Sequence, residues 1–463
     1  MSPSDPGFPS GVVILGGGIA GIAAALELLD AGRKVTLVES RNFLGGRAFS
    51  FTDVNTGLTL DNGQHVIVGC CTEFIAFLDQ LGVHDRWFLQ DRLRIPVFSR
   101  NGKKGKLAAS RLPSPLHLLP SFLAYPHLSP LDKVKVVWGM ARAGFANRDD
   151  PELDDITFYQ WLRNNCQPER AINNLWNLVV EPTLNDNVRE VSAAMGLMIV
   201  QEGMLSSTRS GNLGYARNGL LASIGEPARR LLEERGATLL LGDAIRRVVV
   251  SPEPATNGPW DSVAAVELAS GRRIVGREFV SALPFSSLLR LLPPEVADLD
   301  FFGRIGRLEW SPILNLHVLY DRPVMSLPLC AFVDSPLQWV FNRNAIAGDP
   351  AGGGQLVTIS VSAAWDFIGM PREELAPVFL AEMAAAFPAA GKANVLNVTV
   401  VKQREATFRC FPGSGSLRPG PVTPLPNLFL AGEWTNTGWP STMEGAVRSG
   451  QQAARAVSRN SRL

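Results

Sequence analysis

The sequence predicts an α/β fold of two domains. A short apolar strand, Val12–Leu15, passes through a glycine-rich turn into a helical run and then a second strand ending on Glu39. At the far end, Asn427–Gly450 reads as a strand over Leu428–Ala431, a Gly432-Glu433 turn, a Thr/Asn/Trp loop and a helix from near Thr442. The chain is 463 residues long, more than one hydrophobic core ordinarily serves.

Gly16, Gly18 and Gly21 complete a G-x-G-x-x-G pattern after the first strand. The helical run Ile22–Asp30 follows, Gly32 stops it, and Lys34–Val38 is the second strand. Such a βαβ unit brings a pyrophosphate close to a helix N-terminus and sets the acidic residue, here Glu39, against a ribose hydroxyl. Beyond it, Gly45 and Gly46 let the backbone pass close to a phosphate or flavin, and Arg47 offers a bidentate cation for pyrophosphate. The closing segment specifies the dinucleotide. A carboxylate at Gly432-Glu433 suits a polyol chain, and a helix N-terminus offers amides to an electron-rich ring. Flavin has both parts and NAD does not, so the expected cofactor is FAD.

From Thr72 the pattern is helical, with Phe74, Phe77, Leu78 and Leu81 on one face and Gly82 as the stop. Helical character also dominates Leu131–Ala146, Phe158–Asn164 and Glu169–Val180. Strand-like residues return over Gly236–Val250, Ser262–Leu268 and Arg273–Phe279, and Val280–Pro284 is a strand running into a turn. Pro312–Leu319 and Leu356–Ser362 are strands suited to a large sheet. The expectation is a Rossmann-like FAD-binding domain from residues 10–95, 215–290 and 405–463, with a mixed α+β substrate domain inserted as residues 96–214 and 291–404. The glycine clusters Gly352–Gly354 and Gly413/Gly415 lack a strand before and a helix after, and read as turns. With no second nucleotide module, electrons are expected from a separate flavin reductase or a supply of reduced flavin.

Composition narrows the function classes. The net charge is +1, with 46% hydrophobic and 19% charged residues, which does not suggest a nucleic-acid binder. Cys70, Cys71, Cys166, Cys330 and Cys410 have no C-x-x-C spacing and read as thiols of a reducing compartment. The histidines are scattered, so no metal site is expected, and no G-x-S-x-G elbow is present. The opening MSPSDPGFPS lacks the basic and apolar regions of a secretory signal, and no apolar window is long enough to span a bilayer. The expected location is cytoplasmic, with peripheral contact to the cytoplasmic membrane through Leu112–Leu131. That stretch is apolar, broken by prolines and flanked by Lys103, Lys104, Lys106, Arg111, Lys133 and Lys135. The competing reading is a Pro-rich excursion that covers the protein's own core.

The βαβ unit, Gly45-Gly46-Arg47, Gly432-Glu433 and Met443-Glu444-Gly445 together resemble the flavin amine oxidase and phytoene desaturase superfamily of GR2-type flavoproteins. Asp61-Asn62-Gly63-Gln64-His65, Leu184-Asn185, Ala406-Thr407-Phe408 and TNTGWPSTMEGAVRSG at 435–450 narrow the resemblance to the hydroxysqualene dehydroxylases of bacterial hopanoid synthesis. The resemblance implies that Gly16, Gly18, Gly21, Glu39 and Arg47 hold the ADP half of FAD. It further implies Ile245 against the adenine, Glu433 on ribityl or phosphate, and Met443 beside the isoalloxazine. Two positions depart from the family pattern: Glu433 stands where Asp is usual, and Val180-Glu181-Pro182 replaces a more apolar segment.

The implied substrate is hydroxysqualene, an apolar triterpene with an allylic hydroxyl, reduced to squalene with loss of water. A departing hydroxyl needs a proton, so a general acid is expected. His65 titrates near neutrality and Gln64 can orient the hydroxyl. Glu181 is a further candidate, because desolvation would raise its pKa. Against these stand a structural His65 bonded to backbone and a surface carboxylate at a helix end. Trp434 and Trp439 either pack on the flavin or belong to the core. Two other functions share the features: a carotenoid-type FAD desaturase or isomerase running the flavin in the oxidising direction, and a non-catalytic prenyl-binding escort protein. The intact flavin-end motifs argue against the escort.

Overall fold

The computed structural model describes residues 11–251, 262–347 and 353–460. The opening MSPSDPGFPS and Gly352 lie outside the described residues. Every residue of strand Val12–Leu15 is buried, as expected of a strand covered on both faces. It lies at the centre of a parallel sheet ordered Thr238–Leu241, Val35–Glu39, Val12–Leu15, Glu278–Ser281, Leu428–Leu430. Helix Ile19–Asp30 connects the first two strands of the chain and packs along the closing helix Met443–Asn460. This is the Rossmann-type layer expected from sequence, and the chain returns to it after two long excursions.

A seven-stranded sheet forms the second body, ordered Val395–Phe408, Trp310–Tyr320, Gln355–Val361, Trp339–Asn342, Leu329–Val333, Arg94–Ser99, Lys104–Ala108. Its pairings are antiparallel except between Leu329–Val333 and Arg94–Ser99. The period of two sorts its faces. Leu314, Leu316, Val318, Val357 and Ile359 pack against Leu375, Phe379 and Met383 of helix Arg372–Ala386. Asn315, His317, Thr358 and Ser360 point the other way, toward the loop at residues 61–65. The expected domain boundaries at 95/96 and 404/405 fall inside strands of this sheet.

Several expected elements differ in extent. The helix expected from Ile22 begins at Ile19, because Gly18, in extended conformation, is already its N-cap. Gly236–Val250 divides into Thr238–Leu241, in the parallel sheet, and Ile245–Val250, in a separate antiparallel one, with the turn at Gly242. The helix expected over Glu169–Val180 runs through a π-helical segment, Ile172–Trp176, and on to Leu184 despite Pro182. Burial of Leu178, Val180 and Leu184 holds that last stretch, a case of packing overriding propensity. Leu112–Leu131 folds into a short helix, Leu119–Leu123, with Phe122, Tyr125 and Leu128 buried and Leu112, Leu116, Leu123 and Leu131 exposed.

Candidate functional site: a flavin cradle and a polar cluster

The glycine turn, the Gly45-Gly46 loop and the closing segment converge at the carboxyl ends of the parallel strands. A Cβ at Gly46 would lie 2.8 Å from the Gly18 Cα, and one at Gly21 would lie 2.0 Å from the Gly16 carbonyl oxygen. The two loops therefore pass at backbone distance, and only glycine allows it. Gly18 carries no side-chain cap, which leaves the helix N-terminus open to an anion. Glu39 is buried, its carboxylate accepting from the Gly17 amide at 2.7 Å and from the Arg41 amide at 2.9 Å. It thus fixes the turn whose amides face the site. Ile245 opens the strand reached after Asp243, whose amide donates to the Glu39 carbonyl.

Arg47 forms an ion pair with the Glu433 carboxylate. It also donates to the Ala406 carbonyl at 3.0 Å and lies 5.4 Å from the Trp310 ring centre. The two residues expected to meet the cofactor thus meet each other. Gly432 donates its amide to the Ser449 hydroxyl at 2.8 Å, tying the turn to the closing helix. Thr442 caps that helix by accepting from the Gly445 amide at 3.1 Å, so the uncapped first amides are those of Met443 and Glu444. Met443 is half-buried against the core between the two helices. Trp434 is fully buried and donates to the Leu283 carbonyl at 3.0 Å, which assigns it to the core. Trp439 is half-buried beneath the Arg448 guanidinium.

Two arginines, buried Arg418 and half-buried Arg343, join the site without any periodicity or spacing signal in the sequence. Arg418 donates to the carbonyls of Thr435 and Trp439 at 2.6 Å each, and to those of Glu433 at 3.2 Å and Trp434 at 3.4 Å. Burial lowers its pKa, and the ring of carbonyls gathers the 433–439 loop around one cation. Arg343 donates to Gln64 Oε1 at 2.7 Å and to Asp61 Oδ2 at 3.3 Å. Asp61 also accepts from the Ser50 hydroxyl and the Leu220 amide. Glu444, in the Met-Glu-Gly motif, is structural, since it accepts from the Phe74 amide at 2.7 Å and pairs with Arg448.

His65 is half-buried, its Nδ1 3.1 Å from the Gly63 carbonyl oxygen. That carbonyl only accepts, so Nδ1 carries the proton and Nε2 the lone pair. Burial lowers the His65 pKa, the Gly63 bond and Asp61 oppose, and Arg47 adds to the lowering. The neutral ring is therefore favoured, which runs against His65 as a proton donor. Gln64 has its carbonyl oxygen held by Arg343. Glu181 is half-buried rather than at the surface, and burial pushes its carboxyl up to about 7, opposed by hydrogen bonds from Asn177 and Gln338 and aided by Asp186. The Gln338 bond is 3.0 Å. At the C-cap of the same helix, Asn185 donates to the Thr407 hydroxyl at 2.8 Å, beside the Ala406 that receives Arg47. Gln338 in turn accepts from the Ser362 amide, and the next amide, of Ala363, donates to Asn185, so Glu181 is joined to Asn185 and Thr407 through hydrogen bonds and one peptide link.

FAD fits these residues. The crossing of Gly18 and Gly46 leaves a cradle that a side chain would fill, and the adjoining helix N-terminus has no cap of its own. Comparison with known proteins agrees. A family described as flavin containing amine oxidoreductase matches residues 19–458. A hydroxysqualene dehydroxylase of Sinorhizobium fredii is 29% identical, covering 96% of this chain and 98% of its own. The zeta-carotene desaturase of Arabidopsis thaliana is 26% identical over 96% of this chain and 84% of its own. A putrescine oxidase structure shares the fold at a TM-score of 0.75 and 18% identity, covering 98% of this chain and 100% of that one. The protein is an FAD-dependent oxidoreductase with a Rossmann-type cofactor domain, and the chain belongs to the flavin containing amine oxidoreductase family.

Proposed function

We propose that the protein reduces hydroxysqualene to squalene with loss of water. The observation that carries this reading is Glu181, a carboxyl pushed up to about 7 beside a largely apolar interior. Removing hydride from an unsubstituted polyene needs no acid for a leaving hydroxyl; reductive dehydroxylation does. At neutral pH a substantial share of Glu181 is protonated and able to donate to the departing oxygen. Asn177 and Gln338 orient its carboxyl. Gln64, fixed by Arg343, positions the hydroxyl as a hydrogen-bond partner.

Reduced FAD, when bound, would supply the hydride that forms the new C–H bond as the C–O bond breaks. Gly16, Gly18, Gly21, Gly45 and Gly46 admit its pyrophosphate, Glu39 its ribose, Arg47 and Glu433 the phosphate and ribityl, Ile245 the adenine, and Gly432 and Met443 the ring end. The apolar end of the inner face of the large sheet, with Leu329, Ala331, Val333 and Phe341, excludes water from the hydrocarbon chain. Electrons come from a separate flavin reductase or free reduced flavin, and the substrate comes from the cytoplasmic face of a membrane.

The similarity to carotene desaturases keeps one other reading in view, oxidation of a carotenoid precursor on the same frame. Incubation with hydroxysqualene or phytoene, reduced flavin and mass-spectrometric product analysis separates the two. Squalene from hydroxysqualene supports the proposal, and desaturated phytoene with untouched hydroxysqualene overturns it.

A further inference from the structure

Helix Pro130–Phe145 is apolar on two opposite sides. Val136, Gly139 and Ala143 are buried against the core. On the far side, Leu131, Val134, Trp138 and Phe145 are 64%, 68%, 54% and 91% exposed. At about 100° per residue these four fall on one stripe, turned roughly 140° from the buried one. A helix that needs only one apolar face to fold gains nothing in water from the second, and a contiguous exposed apolar surface marks a contact.

The surroundings of that stripe identify what it meets. Lys135 and Arg142 lie along one edge of it; on the other, exposed Val137 widens the stripe toward Lys133, whose ammonium donates to the Leu123 carbonyl. Leu123 adjoins the helix across a groove of about 290 Å³ lined with Pro130, Lys133, Val134 and Val137. Earlier in the chain Lys103, Lys104, Lys106 and Arg111 are exposed, as are Leu112 and Leu116, and Lys103 donates to the carbonyl of Pro126 in the segment that leads into the helix. Asp132 is buried as the helix's own capping-box residue, and the next exposed acids along the chain, Asp149 and Asp150, lie past the helix end. Apolar side chains with Trp, bordered on both sides by long cations, match an interface of acyl chains below anionic headgroups. A protein partner would not require cations on both edges.

We infer that helix Pro130–Phe145, with Leu123, docks on an anionic lipid bilayer, lying in its surface. This rests on the proposed function for its purpose but not for its test. Among the described residues no helix is long and apolar enough to cross a membrane, so contact is by lying on the surface. The geometry shifts the contact from the Pro-rich stretch as a whole, whose Phe122, Tyr125 and Leu128 are core, to the helix after it. Those residues belong to the same continuous core as Val333 and Phe341 on the inner face of the large sheet.

The test uses the flavin-loaded full chain with vesicles of neutral phosphatidylcholine, or of phosphatidylcholine mixed with phosphatidylglycerol. Co-sedimentation is expected with the anionic vesicles and is weakened at high salt. Trp138→Ala/Phe145→Ala lowers vesicle binding by about tenfold or more. Arg142→Gln lowers binding to anionic vesicles by about fivefold and leaves binding to neutral ones unchanged. Flavin content and turnover of detergent-dispersed substrate stay as in the parent, which excludes misfolding as the cause. Equal sedimentation of parent and double variant would overturn the inference. So would a parent that ignores both vesicles, or one that is dimeric in solution and becomes monomeric in the double variant with unchanged vesicle binding. Failure on hydroxysqualene with intact vesicle binding would reject the proposed reaction alone.

Discussion

Arg47, from the loop after the second strand of the parallel sheet, is ion-paired with Glu433, from the turn after the last. The pair joins the two ends of the chain across the cofactor cradle, so each side chain is held by the other before any ligand binds. Preorganisation of this kind reduces the cost of binding. Glu433→Ala should leave Arg47 without its carboxylate and reduce FAD affinity by about tenfold or more. Flavin retained through gel filtration, read by visible absorbance, checks this. Glu433→Asp shortens the arm by one methylene and should fall between parent and alanine variant.

Arg418 is expected to be the main support of the 433–439 loop, since its guanidinium alone reaches four carbonyls. Replacing it with Met leaves those carbonyls short of donors in a buried place, at a cost of about 3 kcal/mol. Urea denaturation of the apoprotein should register that loss, and flavin content should fall with it. Arg418→Lys should recover part of the stability only, because an ammonium cannot span the same fork.

Turnover should depend on pH through Glu181. With its carboxyl pushed up to about 7, the donating form prevails below that value and is lost above it, so kcat falls on the alkaline side. Glu181→Gln should lower kcat by about 100-fold and remove that limb. His65→Ala should have a smaller effect on kcat and keep the limb, because the ring is held neutral with Nε2 as an acceptor. A limb that persists in Glu181→Gln would transfer the acid role elsewhere.

Stability should fall on acidification through His317. Burial, aided by Arg343, lowers its pKa from 6.5 to about 4, with Nδ1 2.9 Å from the Thr358 hydroxyl. Below 6.5 the unfolded chain takes up a proton that the folded one refuses, so unfolding becomes easier as pH drops toward 4. The full difference is roughly 3 kcal/mol. Urea midpoints measured between neutral and mildly acidic pH should decline in the parent and decline less in His317→Asn.

The cofactor half is legible in the sequence because its requirements are local. Gly16, Gly18 and Gly21 follow a strand and open a helix within one short stretch, and Gly432-Glu433 and Met443 do the same at the other end. Arg343 and Arg418 are not legible. Their partners are carbonyls and side chains brought together only by sheet pairing, and a lone arginine in a loop has no pattern. In sequence Glu181 reads more readily as a surface carboxylate than as a buried one, since the depth of helix Asn177–Leu184 depends on the sheet packed against it. The exposed stripe on helix Pro130–Phe145 is hidden for the same reason: apolar residues on all sides of a helix look like core until the core is seen to use one side.

If the proposed reaction holds, reducing equivalents leave the flavin for the carbon that loses its hydroxyl, and a single turnover reads that transfer itself. The flavin-loaded protein is reduced anaerobically, hydroxysqualene is added, flavin absorbance is followed and squalene is quantified. Reoxidation with one squalene formed per flavin is expected, slowed about 100-fold in Glu181→Gln. Flavin that stays reduced with hydroxysqualene present, or that reoxidises without squalene, would refute the proposed reaction.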